Sequence, residues 1–262
     1  MRRLADQTWF TTPVLLALFL AVWHAWIVVF EVSPFLVPKP ADVGLALVEL
    51  MQEPRMYEHL WFTIRGSFYG FVVASLVGMS LGVVLGTLPV LERALSPFIV
   101  ATQVVPKIAF VPLFILWFGF GIESKVVIAM LLSFFPIFTN TLLGMKSVPT
   151  GHRDVMSALG SSRLRTFWSL KLPSSMPYVM SGLEVGIVFA VIGAIVAEYL
   201  GGSSGLGFMA ISSLNALQVG RLFGVIVIMT VMGYAMYLVV VGMKRFTIPW
   251  HESVRTVKGA VP

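Results

Sequence analysis

The chain has 262 residues, of which 58% are hydrophobic and only 11% are charged, and its mean hydropathy is +0.92. An ordinary soluble domain is roughly a quarter charged, so lipid rather than water must surround most of this chain. The sequence contains no cysteine, which excludes disulfides, thiolate catalysis and Fe–S clusters. The net charge of +6 is typical of basic residues that flank membrane helices on the cytoplasmic side, and we expect no nucleic-acid partner.

Six apolar stretches are long enough to cross a bilayer, whose hydrocarbon core of about 30 Å requires roughly 20 helical residues. They are residues 13–33, 64–89, 97–118, 126–145, 177–199 and 222–243. We therefore predict an all-α polytopic membrane protein with about six transmembrane helices, forming a single domain over residues 1–262. The loops are too short to hold a soluble catalytic domain, so any energy source is expected in a partner.

The first span follows a basic start at Arg2 and Arg3, as in a signal peptide. It is too long for the apolar region of a signal peptide and no cleavage motif follows, so we predict a retained first helix. In the next segment, residues 39–60, apolar residues recur at helical spacing from Val43 to Met51. This spacing predicts a helix that lies on the membrane surface.

Basic residues predict the orientation of the spans. With both termini in the cytoplasm, twelve Lys and Arg lie on the cytoplasmic side and five lie outside, with Lys107 uncounted because it falls within a span. The outer five are Lys39, Arg55, Arg65, Lys125 and Arg221. This bias predicts a multi-pass inner membrane protein with both termini in the cytoplasm.

The second span carries a small residue at every fourth position. These residues are Gly66, Gly70, Ala74, Gly78, Gly82 and Gly86, and the fifth span repeats the pattern at Gly182, Gly186, Ala190 and Ala194. In lipid, such a ridge lets two helices approach closely enough for van der Waals attraction. We predict tight helix packing here, with the alternative that these smooth faces slide during transport.

Polar residues within the spans are candidates for a translocation pathway, since an ionised group in lipid costs several kcal/mol unless it is paired or hydrated. They are Gln103, Lys107, Glu184 and Glu198. Lys107 lies one turn from Gln103 and either attracts an anionic substrate or serves a structural ion pair. Glu184 is a pathway residue or an interfacial one, and Glu198 is a hinge or gate contact before a glycine-rich outer loop. Pro106 predicts a kink in the third span.

The longest cytoplasmic loop, residues 146–176, has the pattern of two short polar helices. Gly160 can end the first helix in the left-handed conformation, and Ser161 or Ser162 can cap the second. Pro173 follows shortly after the predicted end of the second helix. A polar helix pair that projects from a membrane bundle predicts a docking site for a cytoplasmic partner.

This loop resembles the signature of ABC importer permeases, in which an acidic residue and small residues precede a glycine and an aliphatic-x-Leu-Pro ending. The matching residues are Asp154, Gly160, Leu170, Leu172 and Pro173. The loop departs from the signature in having Asp154 for the usual Glu, and Val155 and Met156 for the usual small residues. The resemblance implies a coupling helix that fits a groove on an ATPase subunit. The coupling residues that it implies are Asp154, Val155, Met156, Ala158, Leu159, Gly160, Arg163, Leu170, Leu172 and Pro173.

Most of the chain is similar to the nitrate, sulfonate, taurine and bicarbonate group of these importers, on residues 40–43, 106–119, 197–201 and 205–207. The resemblance implies the type I ABC importer permease fold, a homodimer, two ATPase subunits that bind ATP and Mg, and an extracytoplasmic binding protein. It implies no cofactor in this chain. The substrate is expected to be a small anion or organic solute, such as a nitrate-like ion or a heterocyclic precursor. An acidic Glu184, where the group has a basic residue, weighs against a purely anion-selective pathway.

Two other functions are weighed against the importer. A secondary transporter or channel that acts without an ATPase would show internal repeats with paired broken helices, and no convincing repeat is present in the sequence. An intramembrane enzyme would need clustered His, Asp or Glu within the spans, and the sequence has no such cluster. We therefore predict no catalytic residue and no metal site, and expect a permease rather than an enzyme.

Overall fold

A computed structural model describes the backbone of residues 2–249 and the side chains from residue 11 onward. Over this range every regular element is helical. The α-helices are α1 (Arg2–Val29), α2 (Pro40–Gln52), α3 (Pro54–Thr87), α4 (Pro89–Val104), α5 (Val111–Phe118), α6 (Ile122–Lys146), α7 (Thr150–Ala158), α8 (Arg163–Thr166), α9 (Leu172–Gly201), α10 (Leu206–Asn215) and α11 (Val219–Thr247). A 3₁₀ turn at Lys107–Phe110 precedes α5, and a π turn at Phe167–Lys171 joins α8 to α9.

Among the described residues, five helices are long and apolar enough to cross a membrane: α1, α3, α6, α8 continued into α9, and α11. The number rises to six if α4 and the 3₁₀ turn with α5, two pieces bent by 76° relative to each other, are taken as one span. The all-α fold with about six spans is therefore confirmed.

The bend corrects the prediction of a single third span over 97–118. Val105 is extended and Pro106 has no amide hydrogen, so the helical hydrogen bonds of α4 cannot continue through this point. Pro112 lies in the first turn of α5, where a missing amide hydrogen costs nothing. By contrast, Pro136 lies within α6 and does not end it.

The predicted surface helix over 39–60 is also divided. It ends at Gln52, and Pro54 begins the long helix α3. The buried face of α2 carries Val43, Ala46 and Leu50, and it packs against α11. The chain thus passes from α2 into its second span through the single residue Glu53.

The centre of the bundle is α6, which is held between α3 and α9. The small-residue ridge of α3 lies directly on α6: a methyl group added at Gly70 would collide with Ala129, and one added at Gly82 would lie 2.7 Å from Cβ of Thr141. On the other side, a methyl group at Gly182 of α9 would lie 2.8 Å from Cβ of Asn140. Small residues on both neighbours therefore allow backbone-to-backbone packing along the length of α6.

Candidate functional site

The turn between α7 and α8 has the geometry that its sequence predicts. The amide of Ser161 donates to the carbonyl of Met156 at 3.0 Å, and Gly160 has φ +67°, which together end α7 in a Schellman turn. The Ser162 hydroxyl accepts from the amide of Arg165 at 3.3 Å and so caps α8. A rigid turn therefore fixes the direction in which α7 leaves the bundle.

The expected end of the second helix before Pro173 is wrong. Helical structure continues from Arg163 to Gly201, because the π turn at Phe167–Lys171 carries the chain past the proline. In this turn the Leu172 amide donates to the Phe167 carbonyl, five residues earlier. The wider turn shifts the pattern of backbone hydrogen bonds just before Pro173, which has no amide hydrogen to donate. The second helix of the segment is thus the N-terminal extension of the fifth span.

Helix α7 has two different faces. Val155 is 57% exposed and Leu159 is 76% exposed, and both lie on one side, since residues four apart in a helix share a face. Arg153 and Ser157 lie on the opposite side and line a cavity of about 510 Å³ against the bundle. In the remainder of the implied coupling set, Asp154, Ala158, Gly160 and Arg163 are exposed, and Met156, Leu170, Leu172 and Pro173 are half-buried. An apolar surface on a polar helix is therefore presented away from the protein.

A second cavity, of about 330 Å³, lies at the break between α4 and α5. The ammonium of Lys107 points into the bundle, where it donates to the Gln103 carbonyl at 3.2 Å and lies 4.5 Å from the centre of the Phe135 ring. Thr139 and Phe189 also line the cavity. The structure thus brings the predicted pair Gln103 and Lys107 together with α6 and α9.

The surroundings of this lysine bear on its predicted roles. Phe135 lies near the middle of α6, so the ammonium is close to the centre of a membrane span rather than at the interface. No carboxylate lies within 4 Å of it among the side chains that the structure describes. The cation is instead stabilised by a carbonyl oxygen and an aromatic face, and this leaves its charge available to a bound anion.

Glu184 is separate from this cavity. Its carboxylate lies 3.1 Å from the ammonium of Lys244 in the last turns of α11, and both side chains are largely buried. The pair neutralises both charges and joins α9 to α11. These contacts are those of a structural ion pair, and the choice between a pathway residue and an interfacial residue for Glu184 stays a prediction.

Glu198 lies near the C-terminal end of α9 and is fully buried. Its Oε2 accepts from the Thr63 hydroxyl and from the Gly207 amide, both at 2.9 Å. Gly205, with φ +103°, leaves room for this carboxylate, and a methyl group there would collide with it. A carboxylate in this position also interacts favourably with the positive N-terminal end of α10.

Three successive amides at the start of α10 are held by side chains of the spanning helices. The Gly205 amide donates to Nδ1 of His59 at 3.0 Å, and the Leu206 amide donates to the Thr63 hydroxyl at 2.8 Å. The third amide is that of Gly207, bound to Glu198. Helix N-termini have free amide donors, and here α3 and α9 satisfy them. We call His59, Thr63 and Glu198 the outer clamp, because the orientation predicted from the sequence places this end of the bundle outside the cytoplasm.

Lys125 is the residue that the sequence placed wrongly. It was assigned to an outer loop, but it lies in the first turn of α6 and is fully buried. Its ammonium donates to the carbonyl of Phe120 at 2.8 Å and to that of Gly201 at 3.4 Å, and so joins α6 to the end of α9. The available signal was its position four residues before Ala129, which continues the buried face of α6.

The sequence also resembles known proteins. It matches, over residues 74–250, the family described as binding-protein-dependent transport system inner membrane component. It is 31% identical to the formylaminopyrimidine transport permease protein ThiX of Halalkalibacterium halodurans, over 86% of this chain and 92% of that protein. It is 28% identical to the taurine transport system permease protein TauC of Escherichia coli, over 92% of this chain and 89% of that protein.

The fold is similar to that of a solved transporter. A chain of the MetNI methionine ABC transporter in an inward-facing conformation superposes with a TM-score of 0.65 and 18% sequence identity. The superposition covers 75% of this chain and 99% of that one. The architecture of the bundle is therefore that of type I ABC importer permeases.

Proposed function

Since the chain belongs to the family of binding-protein-dependent transport system inner membrane components, it is the permease subunit of an ATP-binding-cassette importer, and we propose that a separate ATPase drives it through residues 146–176. In this proposal two copies of the chain enclose the pathway, and each copy binds one ATPase subunit. A binding protein delivers the substrate from outside, and both termini lie in the cytoplasm. The ATPase binds ATP and Mg, and this chain needs no cofactor.

The observation that carries the proposal is the apolar face of α7. Val155 and Leu159 are both more than half exposed on a helix that projects from the bundle. Exposed apolar side chains on a water-facing helix favour a protein partner. Because Arg153 and Ser157 occupy the opposite side, the apolar face is free for docking while the polar face remains against the bundle.

We propose further that the substrate passes the cavity at Gln103 and Lys107. The cavity lies at mid-depth and contains one cation without a carboxylate partner among the described side chains. These features favour a small anion, or an organic solute with an acidic group. Relatives are named for formylaminopyrimidine and for taurine transport, so the substrate varies within the family.

The test is capture of the cognate ATPase by the full-length permease in detergent. Changing Val155 and Leu159 together to asparagine should weaken ATPase binding by about a hundredfold or more, since burying one such side chain stabilises by roughly 1.5–3 kcal/mol. The matched control is Thr150→Asn, an exposed position on the opposite side of α7 that lines no cavity, and this variant should bind the ATPase as the unmodified chain does. Equal capture by both variants, or uptake that continues without any ATPase, would contradict the proposal.

A further inference from the structure

The cavity beneath α7 lies where the second span ends. One wall is formed by Thr87, the last residue of α3, and by Leu88. The other walls come from α7, α8 and the π turn. Its volume of about 510 Å³ is large enough for a polar headgroup, and its place at the end of a spanning helix puts it at the boundary between lipid and water.

Three basic residues line this cavity: Arg153, Arg163 and Lys171. No carboxylate lines it, and none of the three has an ion-pair partner within 4 Å among the side chains that the structure describes. Three like charges around one space repel one another, and an anion bound between them would relieve this repulsion. The lining therefore favours a ligand with negative charge.

The remaining polar groups indicate what kind of anion fits. Ser157, Ser161 and Thr166 line the same space and bring hydroxyl donors beside the three cations. Hydroxyls together with guanidinium groups match the oxygens of a phosphate, which accept several hydrogen bonds at once. A phosphate group is thus the chemistry that this lining recognises.

The apolar part of the lining favours a lipid over a free phosphate ion as the ligand. Leu88 lines the cavity and is 51% exposed. Phe167 also lines it and packs edge-on against Trp168 at 5.3 Å, and Trp168 is 60% exposed. Exposed aromatic residues are typical of the membrane interface. A ligand that bears both a phosphate and acyl chains would satisfy the cations and cover these apolar groups.

We propose that this cavity binds the headgroup of an anionic phospholipid from the cytoplasmic leaflet. The inference rests on the proposed orientation, in which residues 146–176 lie in the cytoplasm. Since Arg153 lies opposite Val155 on α7, the lipid occupies the inner side of the helix and leaves the docking face free. The bound lipid thereby holds α7 at a fixed position relative to α3. The lipid composition of the membrane therefore influences how rigidly residues 146–176 are held.

The experiment measures lipid retained by the full-length permease in detergent, by native mass spectrometry, with phosphatidylglycerol and phosphatidylcholine of identical chains. The unmodified chain should prefer phosphatidylglycerol. The double variant R153Q/K171Q should lose about tenfold to thirtyfold of this preference, because each basic residue near an anionic headgroup contributes roughly fivefold. The charge-conserving variant R153K/K171R should retain the preference, which shows that a loss does not come from misfolding.

The matched control is K39Q/R55Q, which removes two exposed basic residues at the opposite end of the bundle. It should keep the preference for phosphatidylglycerol, and an equal loss in the control would overturn the proposal. Inorganic phosphate in about thousandfold excess should not displace the lipid, because the acyl chains of the lipid also contribute to binding. Displacement by phosphate would show that the cavity binds free phosphate instead. ATPase capture is scored separately. If V155N/L159N loses ATPase capture but keeps the preference for phosphatidylglycerol, the result supports both the docking face and the lipid site. If that variant captures the ATPase as the unmodified chain does, the result refutes the proposed docking and not the lipid site.

Discussion

Replacing Thr63 with valine tests whether the outer clamp holds α10. The Thr63 hydroxyl accepts from the Leu206 amide at 2.8 Å and donates to Oε2 of Glu198 at 2.9 Å. Valine is similar in volume but has no hydroxyl, so packing changes little while both bonds are lost. The Leu206 amide is then left without its acceptor, and Glu198 retains only the bond from Gly207.

The size of the effect follows from these two bonds. Side-chain hydrogen bonds within membrane proteins contribute about 0.6 kcal/mol each on average, so the loss of both bonds costs at least about 1.2 kcal/mol. If the Leu206 amide remains unpaired and the carboxylate loses a charged hydrogen bond, the cost rises to about 2.5–6 kcal/mol. Even the lower value makes local opening of α10 about eightfold more frequent.

Hydrogen exchange on the full-length protein in nanodiscs measures this opening. Amides at the start of α10 should exchange at least about eightfold faster in the Thr63→Val variant. The control is Thr141→Val, since Thr141 is also fully buried but its hydroxyl bonds only to the Ile137 carbonyl of its own helix. This control should change exchange in α10 by less than about twofold. Equal exchange in the two variants would refute the role assigned to the clamp.

Three further predictions concern packing, acid sensitivity and the pathway. Gly70→Ala should destabilise the protein by about 1–3 kcal/mol in thermal unfolding, because the added methyl group collides with α6, whereas Gly242→Ala, which points into open space, should not. The hydrogen bond from Arg221 lowers the pKa of Glu53 below its ordinary value of 4.5. The stabilisation from this pair is therefore fully present above the ordinary pKa and is lost as the pH falls through the lowered pKa, so the thermal midpoint of the Glu53→Gln variant should depend less on pH in this acidic range. Lys107→Gln should slow uptake of an anionic substrate at least about tenfold, while Lys107→Arg should retain most of it; equal rates in the two variants would remove the lysine from the pathway.

Features that depend on local spacing were predictable from the sequence. A glycine that ends α7 and a serine that caps α8 act on residues within one turn, so Gly160 and Ser162 were correctly interpreted. The ridge of small residues on α3 is likewise a repeat within one helix, and its period alone indicates a closely packed face. The break at Pro106 was predicted as a kink, but the size of the bend depends on how α4 and α5 pack on their neighbours.

Features that depend on distant partners were not predictable. Thr63 and Leu206 are separated by 143 positions, and nothing near Thr63 indicates that its hydroxyl will accept an amide from another helix. Lys125 was assigned to a loop because a charge near a span end ordinarily faces water. Its burial requires the carbonyls of Phe120 and Gly201 to converge on it, and that convergence exists only in the folded bundle.

The fifth span connects all of the sites described above. Helical structure is continuous for 39 residues from Arg163 to Gly201, about 58 Å in length. Its N-terminal end lines the cavity beneath α7, Phe189 lines the cavity at Lys107, and Glu198 holds the start of α10. A displacement of α7 by an ATPase, as proposed, therefore reaches the outer clamp through one helix, with the π turn as the one irregular point along it. Because α6 is packed closely against this helix, we expect α6 and the buried Lys125 to move with it, unless the smooth faces slide past each other.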